Sequence, residues 1–334
     1  MGDGSISSDQ AGVRRGIGPV SSDDGFRRIL AVWFLSAVCI LLLPVVSWAH
    51  GFAGKRFFPT TFAVDDPFVS DEFSLLFNHV KSDPEVKTTS LAVELSKRIT
   101  PNLGISVGEQ YQHISTSGNG SENGFGNIEL GIKYQFLTNE EHETIMSIGL
   151  GTELGGTGTR RVGAESFSVV SPAFFFGKGF GDLPESAKFL RPLAVTGVVG
   201  PNFPTRSRNV IFNPDTGETE TERNPVSLSW GLSLQYSFIY LQSFVKDVGL
   251  GVPFNRMVLV AEFPMETCMS ADCSGKTTGT INPGVVWAAK YYQLGIAAQI
   301  PVNARSGRTV GVLGLVHLFL DDLYPKGIGN PVFP

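Results

Sequence analysis

The sequence predicts an all-β fold, a closed antiparallel transmembrane β-barrel of about 12 strands behind an N-terminal signal peptide. Three observations carry that expectation. Apolar and polar residues alternate in segment after segment. The composition is poor in charge and rich in glycine and phenylalanine. One apolar run near the N-terminus has the form of a secretory leader.

The alternation is clearest over residues 125–136. Ile128, Leu130, Ile132, Tyr134 and Phe136 share one parity, and Asn127, Glu129, Gly131, Lys133 and Gln135 share the other. A strand throws successive side chains to opposite faces, so this segment has one apolar face and one that wants water. The same pattern puts Val226, Leu228, Trp230, Leu232, Leu234 and Tyr236 opposite Ser227, Ser229, Gly231, Ser233 and Gln235. It recurs around Leu91–Leu95, Met146–Leu154 and Leu294–Ile300. The spacing predicts strands near 72–80, 88–99, 103–115, 125–137, 144–155, 165–178, 190–200, 225–243, 256–265, 278–289, 292–302 and 308–320. Most are about ten residues or longer, enough to cross a bilayer at a tilt.

The connections have a matching asymmetry, because bacterial barrels alternate short periplasmic turns with longer external loops. The odd connections include the long polar stretch 201–224 and the cysteine-bearing 266–277. The even ones include Thr100-Pro101-Asn102 and Lys290-Tyr291, although 179–189 and 244–255 are longer than the rule expects. Both termini then fall on the periplasmic side. A soluble sandwich or lipocalin-like barrel alternates in the same way. Long strands, aromatic residues near strand ends and the small uncharged parity Ser227-Ser229-Gly231-Ser233 favour the membrane form.

Composition agrees. Among 334 residues 17% are charged, against roughly 25% in soluble domains, with 39 glycines and 25 phenylalanines. The net charge of −5 comes with no basic block, which argues against nucleic acid as a partner.

Arg27 and Arg28 precede an apolar run over 29–46, and Ser47-Trp48-Ala49 offers small residues at −3 and −1 of a cut before His50. An anchoring helix is the alternative, since the run is long enough to span. Residues 1–49 are therefore an extension and leader, 50–71 a periplasmic segment that acts as a plug or lines a hydrophobic mouth, 72–325 the barrel and 326–334 a tail. The exported chain keeps Cys268 and Cys273, five positions apart in an oxidising compartment, which predicts a disulfide. The histidines are scattered, so no metal site and no cofactor are expected, and His50 as a mature N-terminus is the one weak copper candidate.

Four segments are similar to a known family. Residues 124–134, Gly-Phe-Gly-Asn-Ile-Glu-Leu-Gly-Ile-Lys-Tyr, resemble a strand motif of outer-membrane MetA-pathway phenol-degradation-like proteins, also described as transporters. Ile281-Asn282-Pro283-Gly284-Val285 with Gln299-Ile300-Pro301-Val302-Asn303 resembles their penultimate hairpin. Phe319-Leu320-Asp321-Asp322-Leu323-Tyr324-Pro325 resembles their last strand end, and Phe58-Pro59-Thr60-Thr61 with Asp65-Asp66-Pro67-Phe68 a subgroup signature. The resemblance implies an outer-membrane channel for small, hydrophobic or aromatic molecules. It departs at the end, where Phe333 is followed by Pro334 instead of closing the chain for the barrel-assembly machinery.

A charged side chain on the lipid face costs about 2–4 kcal/mol for Arg or Lys at midplane. Glu94, Arg98, Glu129, Lys133, Gln135, Glu153, Lys290 and Gln293 are therefore expected to line the lumen, either pairing as structure or bordering a permeation path. Arg160, Arg161, Arg206 and Arg208 place positive charge on external loops, facing anionic lipopolysaccharide or solvent. His113 and Ser115 share a strand face as a base and hydroxyl would. Outer-membrane phospholipase A has a similar His-x-Ser, but its following Asn-Gly is here displaced by Thr116-Ser117. No catalytic residue is assigned. A closed structural or adhesive barrel working through its external loops is the alternative to a channel.

N-terminal sequencing of the protein extracted from outer membranes is expected to begin at His50. A chain still carrying residues 29–46 would replace the leader with an anchor.

Overall fold

The structure, a computed structural model, describes residues 51–334 apart from 84–85, 119, 213–218, 271–272 and 334. The leader and His50 lie outside the described residues.

A small hairpin comes first, β1 Phe52–Ala53 and β2 Arg56–Phe57. The wall follows as β3 Glu72–Asp83, β4 Val86–Thr100, β5 Leu103–Thr116, β6 Gly120–Phe125, β7 Glu129–Asn139, β8 Thr144–Glu153, β9 Val169–Gly179 and β10 Leu193–Pro204. An outlying hairpin, β11 Arg208–Phe212 and β12 Thr219–Arg223, interrupts it. The wall resumes with β13 Ser227–Ser237, β14 Met257–Cys268, β15 Thr277–Ala288, β16 Tyr292–Pro301 and β17 Gly311–Phe319. Each wall strand pairs antiparallel with the next. β17 returns to β3, from Val312 opposite His79 to Phe319 opposite Glu72. β6 and β7 both pair with β5, along 111–116 and 103–108, and together make one stave. The sheet is thus a closed ring of 12 staves. Closure leaves no unpaired backbone edge for lipid.

The outer face is apolar. Leu91, Ile105, Leu130, Ile132, Leu232 and Leu294 are exposed, and Ile148 and Ile296 are more than half exposed, at 52% and 58%. An apolar belt this extensive is stable against hydrocarbon and costly against water. Among the described residues no helix is long and apolar enough to cross a membrane; the strands do so.

Two stretches differ from the alternation. The stave at 120–139 breaks at 126–128, where Asn127 turns into a bracket. Its amide donates to Glu153 Oε1 (2.8 Å) and to the Glu165 carbonyl (3.0 Å), and its Oδ1 accepts from the Gly158 N–H (2.9 Å). Ile128 therefore sits in the break. The strand expected over 225–243 ends at Ser237, whose hydroxyl accepts the Tyr240 N–H at 3.1 Å and caps a helical turn, Phe238–Tyr240, that continues as a π turn over Leu241–Val245. Alternation continues through Phe238, so pattern reading runs past a cap that acts locally.

The C-terminal tail does not trail free. The Val332 and Phe333 N–H groups donate to the carbonyls of Arg98 (3.2 Å) and Ile99 (2.8 Å) at the C-terminal end of β4. Cys268 and Cys273 are joined by a disulfide, with Cα atoms 5.7 Å apart, at the C-terminal end of β14.

Leu232→Arg places a cation on the lipid face and is expected to cost about 2–4 kcal/mol. Ser229→Arg, one turn of the pleat away on the inner face, is expected to cost much less. Urea unfolding in liposomes measures both, and equal losses would mean that the two faces are not so assigned.

Candidate functional site

The N-terminal segment enters the ring from the end where β4 and β13 finish, and its contacts define the site. The hairpin β1–β2 presents Arg56, which is fully buried. Its Nε donates to Glu143 Oε2 (3.1 Å), its Nη1 to the Pro192 carbonyl (3.0 Å) and its Nη2 to the Arg191 carbonyl. Its guanidinium lies 3.8 Å from the centre of the Tyr240 ring. Glu143 also accepts from Tyr240 Oη (2.7 Å) and the Gly181 N–H (3.1 Å). One arginine thereby gathers three even connections: the 140–143 turn, 180–192 and 238–256. The last two are the connections that exceed the short-turn rule, and their extra length builds this socket. Glu143 holds φ at +46°, a region that costs an L residue about 1–3 kcal/mol, offset here by its three hydrogen bonds. Burial pulls the Arg56 guanidinium below its usual range while Glu143 opposes the shift. Burial, then the bond to Glu143, pushes the Tyr240 hydroxyl up to about 12. Gly179 is required by close approach, because a Cβ there would lie 2.1 Å from Glu143 Oε2.

Further in, the segment is held along its length. Phe62 packs with Val258, Val260, Val286, Ala297, Leu313 and Leu315, the apolar inner side of β14–β17. Burying one such ring contributes about 1.5–3 kcal/mol. Gly295 makes the room, since a Cβ would meet the ring at 2.7 Å. The N–H groups of Phe62 and Ala63 donate to the two oxygens of Glu262, at 2.7 and 2.8 Å. Gln293 Nε2 donates to Thr60 Oγ1 (3.1 Å), and the Val69 N–H to Gln135 Oε1 (3.1 Å). Ser147 donates to the Pro67 carbonyl, and Lys133 Nζ to the Asp66 carbonyl at 2.8 Å.

The segment joins the wall at Asp71, a buried carboxylate with three donors: Lys97 Nζ (2.5 Å), the Arg98 N–H (2.8 Å) and Arg98 Nε (2.7 Å). Arg98 Nη2 also donates to the Gly329 carbonyl (2.9 Å), and Lys97 Nζ to the carbonyls of Ile328 (2.8 Å) and Asn330 (2.5 Å). The entering segment is clipped at both ends, by Arg56 and by Asp71, and the second clip includes the tail.

Beside the segment a cavity of about 1010 Å³ remains, bordered mainly by β3–β10 and by 60–70. Its lining is strongly acidic. Asp65, Asp66, Glu72, Glu94, Glu129, Glu153, Glu165 and Glu266 border it, with Glu109 beside the stave break, against Lys133 and Arg223.

Of the residues that parity assigns to the lumen, the structure brings Glu94, Glu129, Lys133 and Glu153 together around this cavity. Gln135 and Gln293 also face inward but are covered by the N-terminal segment. Arg98 is buried in the Asp71 clip below the cavity. Lys290 is a correction. It is exposed in the turn between β15 and β16, its Nζ 5.0 Å from the Tyr291 ring centre, because parity loses meaning where the strand ends. His113 bonds Asn123 Oδ1 (2.5 Å) across β5–β6, on the same outward parity as the exposed Tyr111. Among the described residues no group of three or more His, Cys, Asp and Glu is placed to hold a metal ion.

Sequence reasoning missed Arg56, Asp71, Glu143, Tyr240 and Glu262. Glu262 carries a readable signal, a carboxylate on the inward parity of its strand. The others lie in the entering hairpin and in connections, where alternation says nothing.

No family model matches the chain, and no curated protein matches it. Solved structures do. The fold is similar to that of an outer membrane channel from Pseudomonas putida F1, with a TM-score of 0.51 and 15% identity, covering 79% of this chain and 99% of that one. More distant are the KdgM porin in complex with disordered oligogalacturonate (TM-score 0.42, 12% identity, 73% and 98% covered) and LpxR from Salmonella typhimurium (0.38, 10%, 74% and 99%). At 15% identity the likeness to the Pseudomonas putida F1 channel shows the fold. With the closed ring and its apolar belt, it makes the chain an integral outer-membrane β-barrel.

Arg56→Ala leaves Glu143 buried without its cation, a loss of about 3–5 kcal/mol for such pairs. Hydrogen exchange is expected to speed up over 51–58 while the wall strands stay protected. Unchanged exchange at 51–58 would show that the socket does not hold the segment.

Proposed function

We propose that the protein is a passive outer-membrane channel for small solutes, with a bore narrowed by its own residues 51–71. The open space beside that segment, bordered by a cluster of carboxylates, carries the reading. A barrel that served only as structure would gain by filling it, since uncompensated carboxylates inside a ring are costly. In this reading Glu94, Glu129, Lys133 and Glu153 border the path, while Arg98, Gln135 and Gln293 hold the plug. The sequence resemblance to the phenol-degradation-like family supports hydrophobic or aromatic solutes. The acidic lining supports a hydrated path for them rather than an oily one. No cofactor and no reaction enter the proposal. Outer-membrane lipid and lipopolysaccharide are the surroundings it implies, and barrel-assembly machinery the route into them. In this reading 72–325 form the barrel and 326–333, bonded to β4 through Val332 and Phe333, belong to the periplasmic rim.

Planar bilayers containing the purified protein are expected to show discrete conductance steps, and removal of residues 51–68 is expected to enlarge them. A barrel that stays silent in both forms would leave the structural reading instead.

A further inference from the structure

The lumen divides into two unlike halves. On the β14–β17 side the N-terminal segment lies directly on the wall through Phe62 and Glu262. On the opposite side the cavity opens between them over part of their length, and Lys133 reaches the segment beside it, next to the contacts of Ser147 with Pro67 and of Gln135 with Val69. From this geometry we infer that Lys133 is the residue that sets the width and charge selectivity of the passage. Its ammonium pins the Asp65–Asp66 turn to β7. The inference rests on the channel reading.

Lys133 projects inward between two glycines, Gly104 across on β5 and Gly149 across on β8. Neither neighbour crowds it, so its stem is free to lean over the bore. The ring of Phe175, on β9, fills the space left by Gly149 and lies 4.6 Å from the ammonium. A cation over a ring face gains electrostatically, and more so when partly desolvated. The ammonium donates to the Asp66 carbonyl at 2.8 Å and faces the carboxylates of Asp65, Asp66, Glu72 and Glu94. Lys133 and Arg223 are the cations among the described lining residues. Without the Lys133 charge, the Asp65–Asp66 turn faces Glu72 and Glu94 uncompensated, and like charges in a low-dielectric bore repel. The turn is then pushed from the wall, and the path becomes still more acidic. A passage held this way favours cations over anions, with Lys133 limiting how strongly.

The test is conductance and reversal potential in a potassium chloride gradient for the full protein, Lys133→Met, Lys133→Arg and the form lacking 51–68. Heat-shifted electrophoretic mobility checks barrel closure for each. Lys133→Met keeps the stem but not the charge. It is expected to raise conductance about twofold or more and shift the reversal potential toward the cation limit, as charge and diameter both govern a pore. Lys133→Arg is expected to match the full protein. If Lys133→Met does not close, Phe175→Leu removes the ring beneath the ammonium and is expected to show the same shift in smaller measure. If the deletion conducts more than the full protein but neither point variant departs from it, this role for Lys133 is overturned and the channel stands. Silence of every form overturns the channel reading and this one together.

Discussion

Everything in this molecule follows from the pairing of β17 with β3. Hydrocarbon offers no partner to a backbone N–H or C=O, so a sheet in the membrane has to close on itself. Once the ring is closed, the two faces of every strand have fixed solvents. The parity with Ile148, Leu232 and Ile296 meets lipid, and the parity with Glu129, Lys133, Ser233 and Glu262 turns inward. The strict alternation is the price of closure, since a one-residue slip in any strand exchanges its faces.

Closure also creates the interior problem. The inner wall here is rich in small residues, with Gly231 and Ser233 on β13 and Gly295 and Ala297 on β16. Such a wall cannot fill its own bore. The chain fills it with its own N-terminal segment, and the small residues become the places where that segment fits. Phe62 lies against Gly295, and Val64 lies close to Gly231. The halves differ in chemistry: the apolar β14–β17 side is covered by Phe62, while the carboxylate-bearing β3–β8 side stays open.

A plug inside a barrel is only as fixed as its ends. Arg56 ties one end to three connections, and Asp71 ties the other to β4 and to the tail through Arg98 and Lys97. Both clips are buried ion pairs with further hydrogen bonds to carbonyls, the arrangement in which burial of charge is repaid. Between them the wall holds the span through Glu262, Gln293, Ser147, Gln135 and Lys133, the last at the Asp66 carbonyl.

Alternation and composition by themselves determined the barrel, its stave count and the facing of residues well inside strands, such as Glu94, Glu129, Lys133 and Glu153. These are local properties, because a strand's two faces are written in its own period of two. The sequence also marked 51–68 as an aromatic segment awaiting a place. What only the tertiary structure decided lies between strands or beyond them. It placed Arg98 in a clip and Lys290 outside the bore, and broke the stave at Asn127. It ended β13 at Ser237 and folded the tail onto β4. It brought Arg56, Glu143 and Tyr240, 87 and 97 positions apart in their pairings, into one socket. The reason is physical: a pattern records which face a side chain takes, whereas a buried ion pair depends on which distant carbonyls and rings reach the same point once the ring has closed.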